Sequence, residues 1–396
     1  MRIGLYINDL KAGGAERVVS RLSFILSTTN HTVYFIVSDG TVLSYPYDGN
    51  LIDLKVPATK GINKFLTILK RTNELKKIKK EKELDVVISF LDGANLVNIL
   101  SHHEPCKNIV SIRNFQQEEY KYKKHGSFSN LVSNYIYKKA DYVICCSKLI
   151  CEETKKQFSI SDKKVDVLYN PYNCEQIKQD SLKQDFKEYK DFSDQHDLTL
   201  VTTGRLTYQK GYWHLVKIIS QLRNSGVNVG CLIIGEGTYK SNIQQLITEF
   251  KLFNHIKLCG YQKNPYAIEK YADAYILTSL FEGFPNSMVE AMCLGLPIIS
   301  ADCKSGPREI LAPNKSLYSK LDSVYQEYGI LMPELENMIN WSTEISVVER
   351  EWINIIKSLD KNMLQEYSIK GLQRVNDFSY DSIKNTLGKY LQRYTL

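Results

Sequence analysis

No run of about 18 uncharged apolar residues occurs in the 396-residue chain, so no membrane-spanning helix is expected. No Cys-x-x-Cys pair occurs among the nine cysteines (106, 145, 146, 151, 174, 231, 259, 293 and 303), and their number is odd. Several lie inside apolar runs, where a thiol behaves as a small hydrophobe. That pattern argues against a disulfide framework or a zinc site and for a reducing, cytoplasmic setting. The opening residues, "MRIGLYINDL", hold one short apolar run that ends at Asn8 and Asp9. They read as a first β-strand and not as a signal peptide. No nucleic-acid-binding module is recognisable, so no nucleic-acid partner is expected.

What is present describes a soluble globular protein, with 43% hydrophobic and 24% charged residues. Its length suits two domains of roughly 150–200 residues. The net charge of +7 is unevenly placed. Residues 1–150 carry 22 Lys and Arg against 14 Asp and Glu, whereas residues 196–396 carry 21 against 20. Something acidic is expected to approach the N-terminal half.

Short β-branched runs alternate with helix-like segments. "RIGLYI", "TVYFIVS", "LDVVISFL", "NIVSI" and "DYVICCS" read as strands in the first half, and "LTLVTTG", "VGCLIIG", "HIKLCG", "AYILTS" and "LPIISAD" in the second. Helices are expected at 14–28, 62–80, 212–224, 239–251 and 286–294. Repeated β-α-β predicts parallel sheets covered on both faces. The fold class is therefore α/β, with two doubly wound Rossmann-like domains, 1–174 and 198–377, facing each other across a cleft. The polar stretch 175–197 reads as a linker. Residues 378–396 have helical spacing. They fit either a helix packed back on the N-terminal domain or an ordinary terminal helix of the second.

Three segments carry chemistry. "FEGFPNSMVEAMCLGLP" (281–297) gathers Gly283, Phe284, Pro285, Asn286 and Ser287 at the mouth of an apolar helix, between Glu282 and Glu290. A helix N-terminus is a natural seat for a diphosphate, and carboxylates beside it can accept hydrogen bonds from sugar hydroxyls. Ser287-x-x-Glu290 also has the form of a capping box, which needs no ligand. "VTTGRLTYQKG" (201–211) places Arg205 and Lys210 after a strand, a planar fork and a point charge for phosphate oxygens. "NDLKAGGAERVV" (8–19) sets Gly13 and Gly14 at a strand-to-helix turn, where backbone amides can approach an anion. "IIGEG" (233–237) reads as a simple turn.

"GGAERVV", "GRLTYQKG", "EGFPNSMVEAMCLGLPIISAD" and "SGPREIL" (305–311), in this order and spacing, resemble the retaining nucleotide-sugar glycosyltransferases of family 4, which have the two-domain GT-B fold. The resemblance implies that Arg205 and Lys210 hold the donor diphosphate and Glu290 the ribose hydroxyls. It implies that backbone amides around Phe284–Ser287 cradle phosphate and sugar, and that Glu282 lies by the donor sugar at the reaction centre. Absence of any Asp-x-Asp fits the family's independence of a divalent metal, so neither metal nor cofactor is expected. Many relatives place a histidine after the strand matching "NIVSI". Here Arg113 and Asn114 stand on the acceptor side instead, and neither is a proton shuttle at neutral pH. Either that role is absent here or His102, His103 or His125 supplies it from nearby in sequence.

Residues 60–82 contain nine Lys and Arg with Phe65, Leu66, Ile68, Leu69, Leu75 and Ile78 interleaved, and a second basic, aromatic stretch covers 120–141. Basic amphipathic helices can lie on anionic lipid. The expected activity is transfer of a hexose or N-acetylhexosamine, from UDP by preference, to a lipid-linked glycan in surface-polysaccharide (O-antigen or capsule) synthesis. The enzyme would sit in the cytoplasm, peripheral at the inner membrane face. A nucleotide-sugar 2-epimerase of the same fold and a non-catalytic scaffold subunit are the alternatives.

Overall fold

The computed structural model describes residues 1–11, 13–59, 61, 63–114 and 127–395. They divide into two compact units, Met1–Pro171 with Phe378–Leu396, and Tyr172–Asp377.

In the first unit the order is β1 (Arg2–Ile7), α1 (Gly14–Ser27), β2 (Thr32–Val37), β3 (Asn50–Asp53), α2 (Asn63–Glu81), β4 (Val86–Phe90), α3 (Asp92–Leu100), β5 (Lys107–Ile112), α4 (Ser127–Lys139), β6 (Tyr142–Cys145), α5 (Lys148–Phe158) and β7 (Val165–Val167). All strands pair in parallel, in the order β3-β2-β1-β4-β5-β6-β7. Alternation along β1 decides the two faces. Leu5 and Ile7 meet Val18, Leu22 and Ile25 of α1, whereas Tyr6 meets Leu75 and Ile78 of α2 and Val97 of α3 on the other side.

The second unit runs α6 (Cys174–Leu182), α7 (Lys187–Asp194), β8 (Leu198–Thr203), α8 (Tyr212–Asn224), β9 (Val229–Ile234), α9 (Lys240–Glu249), β10 (Ile256–Gly260), α10 (Tyr266–Glu269), β11 (Ala274–Leu277), α11 (Asn286–Cys293), β12 (Ile298–Ala301), α12 (Pro307–Leu311), β13 (Ile330–Met332), α13 (Val347–Lys357) and α14 (Lys361–Arg374). Its parallel sheet has the order β10-β9-β8-β11-β12-β13. Leu200, Cys231, Ile276 and Ile299 face Leu215, Ile218 and Trp352 in its core.

A last helix, α15 (Tyr380–Thr395), returns to the first unit. Ile383, Leu387, Leu391 and Tyr394 recur every three or four residues and bury themselves against the α1 face. Tyr390 donates to the Val167 carbonyl at 2.9 Å, and the Tyr394 hydroxyl to Asp166 at 2.6 Å.

Two expectations need correction. Residues 175–197, read as a linker between domains, fold as α6 and α7 inside the second unit. Ile177, Tyr189 and Phe192 are the buried side chains that dock them, and three apolar residues among so many polar ones left a weak pattern. Cys174 and Cys293 form a disulfide, with Cα atoms 4.9 Å apart across 119 residues of chain. That pairing is set by the packing of α6 on α11, which local cysteine spacing does not encode.

Candidate functional site

In the second sheet the chain leaves β8 toward β9 on one side and later returns to lay β11 on the other. The loops after these two strands therefore part at their carboxyl ends and leave a crevice, the place where doubly wound sheets bind ligands. The loop after β8 carries Arg205 and Lys210, and the loop after β11 carries Glu282 through Pro285. Two of the three sequence motifs are thus brought to one switch point.

Backbone contacts lock the two loops together. Leu280 N–H donates to the Gln209 carbonyl at 2.8 Å, and Thr278 Oγ1 donates to the Lys210 carbonyl at 2.9 Å. Gly211 adopts φ +59°, and a Cβ there would collide with the Thr278 carbonyl, so only glycine fits. The "IIGEG" turn has more to do than its sequence suggested. A Cβ on Gly235 (φ +146°) would strike the Gly204 carbonyl, and Leu206 N–H donates to the Glu236 carbonyl at 2.9 Å. It is the support on which the Arg205 turn rests. His214, in the first turn of α8, bonds Glu349 Oε1 through Nδ1 at 2.6 Å, and Glu349 closes a capping box with Ser346 at the start of α13. This buried contact fixes the helix that follows Lys210.

Lys210 Nζ lies 2.6 Å from Glu282 Oε1, with the two side chains only 14% and 9% exposed. Gln209 Nε2 donates to the Phe281 carbonyl at 3.0 Å and reaches Glu282 Oε2 at 3.4 Å. Glu282 is pinned from behind, since its N–H donates to the Lys304 carbonyl at 2.7 Å and its carbonyl accepts from Ser305 N–H at 3.0 Å. An ammonium has three donors, and Glu282 takes one, so Lys210 can serve an anion as well. Arg205 is exposed beside this pair in sequence.

The helix mouth is built without a side-chain cap. Pro285 occupies the N-cap position and α11 begins at Asn286, so Ser287 lies within the first turn and the capping-box alternative does not form. Instead Tyr275, buried in β11, places its hydroxyl 2.7 Å from Ser287 Oγ. Burial pushes the Tyr275 hydroxyl pKa well up, so it is held as a neutral phenol. Tyr172 donates to Asn286 Oδ1 at 2.6 Å and orients that amide. Gly283, Phe284 and Pro285 are buried, and Glu290, one turn into α11, is 2% exposed. The first N–H groups of an α-helix have no partner within it, and its dipole favours an anion. Sequence reasoning missed Tyr275, Gln209 and Tyr172. Tyr275 was concealed inside a strand pattern where any apolar residue would serve.

In the first unit, Gly13 is the extended N-cap of α1 and Gly14 its first residue. A Cβ on Gly13 would meet the Glu16 carboxylate. Arg113 follows β5 at the carboxyl edge and is buried, with Nη1 donating to Asn170 Oδ1 at 2.8 Å and the guanidinium 5.2 Å above the Phe90 ring centre. Asn114 beside it is exposed. His102 and His103 follow α3, which runs back from the carboxyl edge, so they lie at the opposite edge of the sheet from Arg113. His125 falls outside the described residues, as do residues 120–126 of the second basic stretch. Among the described residues no group of three His, Cys, Asp or Glu side chains is placed to hold a metal ion.

Comparison with known proteins identifies the family and the fold. Residues 12–176 match the family described as Glycosyltransferase Family 4, and residues 183–321 match Glycosyl transferases group 1. An uncharacterized glycosyltransferase of Methanocaldococcus jannaschii is 33% identical over 80% of this chain and 81% of its own length. The Campylobacter jejuni N-acetylgalactosamine-N,N'-diacetylbacillosaminyl-diphospho-undecaprenol 4-alpha-N-acetylgalactosaminyltransferase is 26% identical over 98% of this chain and 99% of its own. Among solved structures, Anabaena HepE in complex with UDP and glucose superposes with a TM-score of 0.72 at 16% identity, over 98% of this chain and 99% of that one. That likeness establishes the shared GT-B fold.

Proposed function

Because the chain belongs to glycosyltransferase family 4, we propose that it transfers a hexose or N-acetylhexosamine from a UDP-sugar to a lipid-linked glycan, with retention of anomeric configuration. The observation that carries this reading is the Lys210–Glu282 pair, 2.6 Å apart and largely buried at the switch point. A buried pair is a weak device for stability, because desolvation offsets most of the attraction. As a device for handing a cation from a carboxylate to an arriving diphosphate it has a clear use.

Arg205 and Lys210 take the diphosphate oxygens, the start of α11 (Phe284–Ser287) meets them with backbone N–H groups, and Glu290 accepts from the ribose hydroxyls. Glu282 stands at the sugar, where negative charge favours an oxocarbenium-like centre. The C1–O bond to the diphosphate breaks as the acceptor oxygen bonds C1 from the same face. The acceptor proton passes to the departing phosphate oxygen. Two side-chain cations and a helix dipole directed at the leaving group provide for its charge, so turnover is expected in the presence of EDTA. By the family resemblance, Gly13 and Gly14 would serve the donor phosphate, and Arg113 with Asn114 the acceptor.

The lipid-linked acceptor is supported by the Campylobacter relative, whose name specifies a diphospho-undecaprenol substrate. The Salmonella typhimurium lipopolysaccharide 1,6-galactosyltransferase, 29% identical over 46% of this chain, supports a place in surface-polysaccharide synthesis. Membrane contact is supported by α2 and α4. Phe65, Leu66 and Leu69 are exposed near the start of α2, as are Leu131 and Tyr135 on α4, with Lys64, Lys70, Lys138 and Lys139 exposed beside them. Both helices begin at the carboxyl edge of the first sheet. Arg71 and Lys79 of the basic stretch are buried, and so do not contribute. Among the described residues no helix is long and apolar enough to cross a membrane, so contact would be peripheral.

A thermal-shift panel with UDP, GDP, ADP and CMP, run with EDTA on wild type and Arg205→Ala, tests the donor seat. A ligand at 100 times its dissociation constant adds about 2.7 kcal/mol of stability. The expected result is a rise with UDP that Arg205→Ala removes. No shift with any nucleotide would overturn the reading.

A further inference from the structure

A line of hydrogen bonds through the buried Tyr275 hydroxyl runs from the end of β8 to the first turn of α11. Thr203 N–H donates to the Tyr275 hydroxyl oxygen at 3.3 Å, and that hydroxyl lies 2.7 Å from Ser287 Oγ. The Thr203 carbonyl is a second acceptor for it, but at 3.3 Å. A phenol has one proton, and the shorter contact takes it, so Ser287 Oγ acts as the acceptor in this pair. The strand end is itself fixed, since Thr203 Oγ1 donates to Glu269 Oε1 at 2.5 Å and Glu269 is 1% exposed.

The consequence lies in the serine's own hydrogen. A hydroxyl accepting from Tyr275 keeps its O–H for another acceptor, and each bond in such a chain polarises the next. Ser287 is half-buried at the mouth of α11, where the backbone N–H groups also point out of the helix. Capping is not its role, because Pro285 occupies that position.

We propose that Tyr275 is a positioning residue which, anchored by Thr203, turns the Ser287 hydroxyl outward as a hydrogen-bond donor to the diphosphate of the sugar donor. This deepens the functional reading above and rests on it. Ser287 touches the ligand, and Tyr275 acts only through it. The arrangement adds a hydroxyl donor to the backbone amides of the helix mouth, beside the cations Arg205 and Lys210, and it discriminates diphosphate from the nucleoside alone.

The test compares UDP with uridine, by calorimetry and by competition, on wild type, Ser287→Ala, Ser287→Thr, Tyr275→Phe and the Ser287→Ala/Tyr275→Phe double variant. Losing a hydrogen bond to a charged group weakens binding by about tenfold or more. Ser287→Ala should therefore weaken UDP about tenfold while leaving uridine within about twofold. Tyr275→Phe should weaken UDP several-fold, the double variant should be no worse than Ser287→Ala, and Ser287→Thr should retain affinity. Equal losses for UDP and uridine would overturn the proposal in favour of a merely structural role. So would additive losses, or UDP affinity unchanged in Tyr275→Phe. Wild type that binds no nucleoside diphosphate would overturn the functional reading and the relay with it. Wild type that binds UDP while the variants fail the pattern would overturn the relay alone.

Discussion

Deleting one partner of the Lys210–Glu282 pair should separate what each contributes. At 2.6 Å the gross attraction is about 6 kcal/mol at an effective dielectric constant of about 20. Desolvating two groups that are 14% and 9% exposed takes back most of it. The net worth of the intact pair is therefore small, but removing one member leaves a largely buried charge alone. Lys210→Ala should cost about 3 kcal/mol, the lower end of the range for breaking such pairs, because some exposure remains. Glu282→Gln should cost less, since the amide oxygen still accepts from the ammonium. In a double-mutant cycle the coupling should be about 2 kcal/mol. All three tryptophans (Trp213, Trp341 and Trp352) lie in the second unit, so their fluorescence during urea unfolding reports that unit alone.

Ligand binding should divide the two variants further. Lys210→Ala loses a charge-assisted bond and should weaken UDP by about 10- to 100-fold. Glu282→Gln removes a carboxylate that repels the diphosphate and competes for Lys210. UDP affinity should hold or rise while turnover falls by about 100-fold or more. Single variants within about 0.5 kcal/mol of wild type and strictly additive would refute the energetic argument. Equal loss of UDP binding in both variants would refute the division of roles.

Gly211→Ala should destabilise the second unit by more than the ordinary 1 kcal/mol or so of a strained backbone position, because its Cβ meets the Thr278 carbonyl; urea unfolding would show it. Lys79 is buried among Asn98 and Asn108 oxygens, and burial lowers its pKa to about 8. The unfolded chain then binds more protons than the native state between about pH 8 and the ordinary lysine range. Stability attributable to Lys79 should rise with pH through that window, and Lys79→Met should flatten the rise in pH-dependent unfolding. Phe65→Ser/Leu66→Ser/Leu69→Ser should reduce flotation with vesicles containing anionic lipid. Wild-type binding should weaken with salt, each exposed lysine near the surface contributing about 1 kcal/mol. Flotation unchanged by the substitutions would remove α2 from the contact.

The central strands were legible because buried parallel strands read as continuous β-branched runs, as in "LTLVTT" of β8 and "VGCLII" of β9. Edge strands β3, β7 and β13 have only three or four residues each and left no run to read. Helices α6 and α7 looked like a linker because only one face of each is buried, and the rest is charged. At the site, Arg205, Lys210, Glu282 and Glu290 were singled out from residue type, motif spacing and the family resemblance. Tyr275, Tyr172 and the supporting glycine of "IIGEG" were not. Their roles depend on which strand end lies beside which loop, and only the tertiary fold supplies that. The Cys174–Cys293 pair was missed for the same reason.

The most direct test is to incubate the protein with an α-linked UDP-N-acetylhexosamine or UDP-hexose, a polyprenyl-diphosphate-linked glycan and EDTA, and to determine the anomeric configuration of the product by NMR. The account predicts an α-glycoside formed together with UDP, at a rate about 100-fold or more lower with Glu282→Gln. A β-glycoside, or transfer that survives in that variant at the wild-type rate, would contradict it.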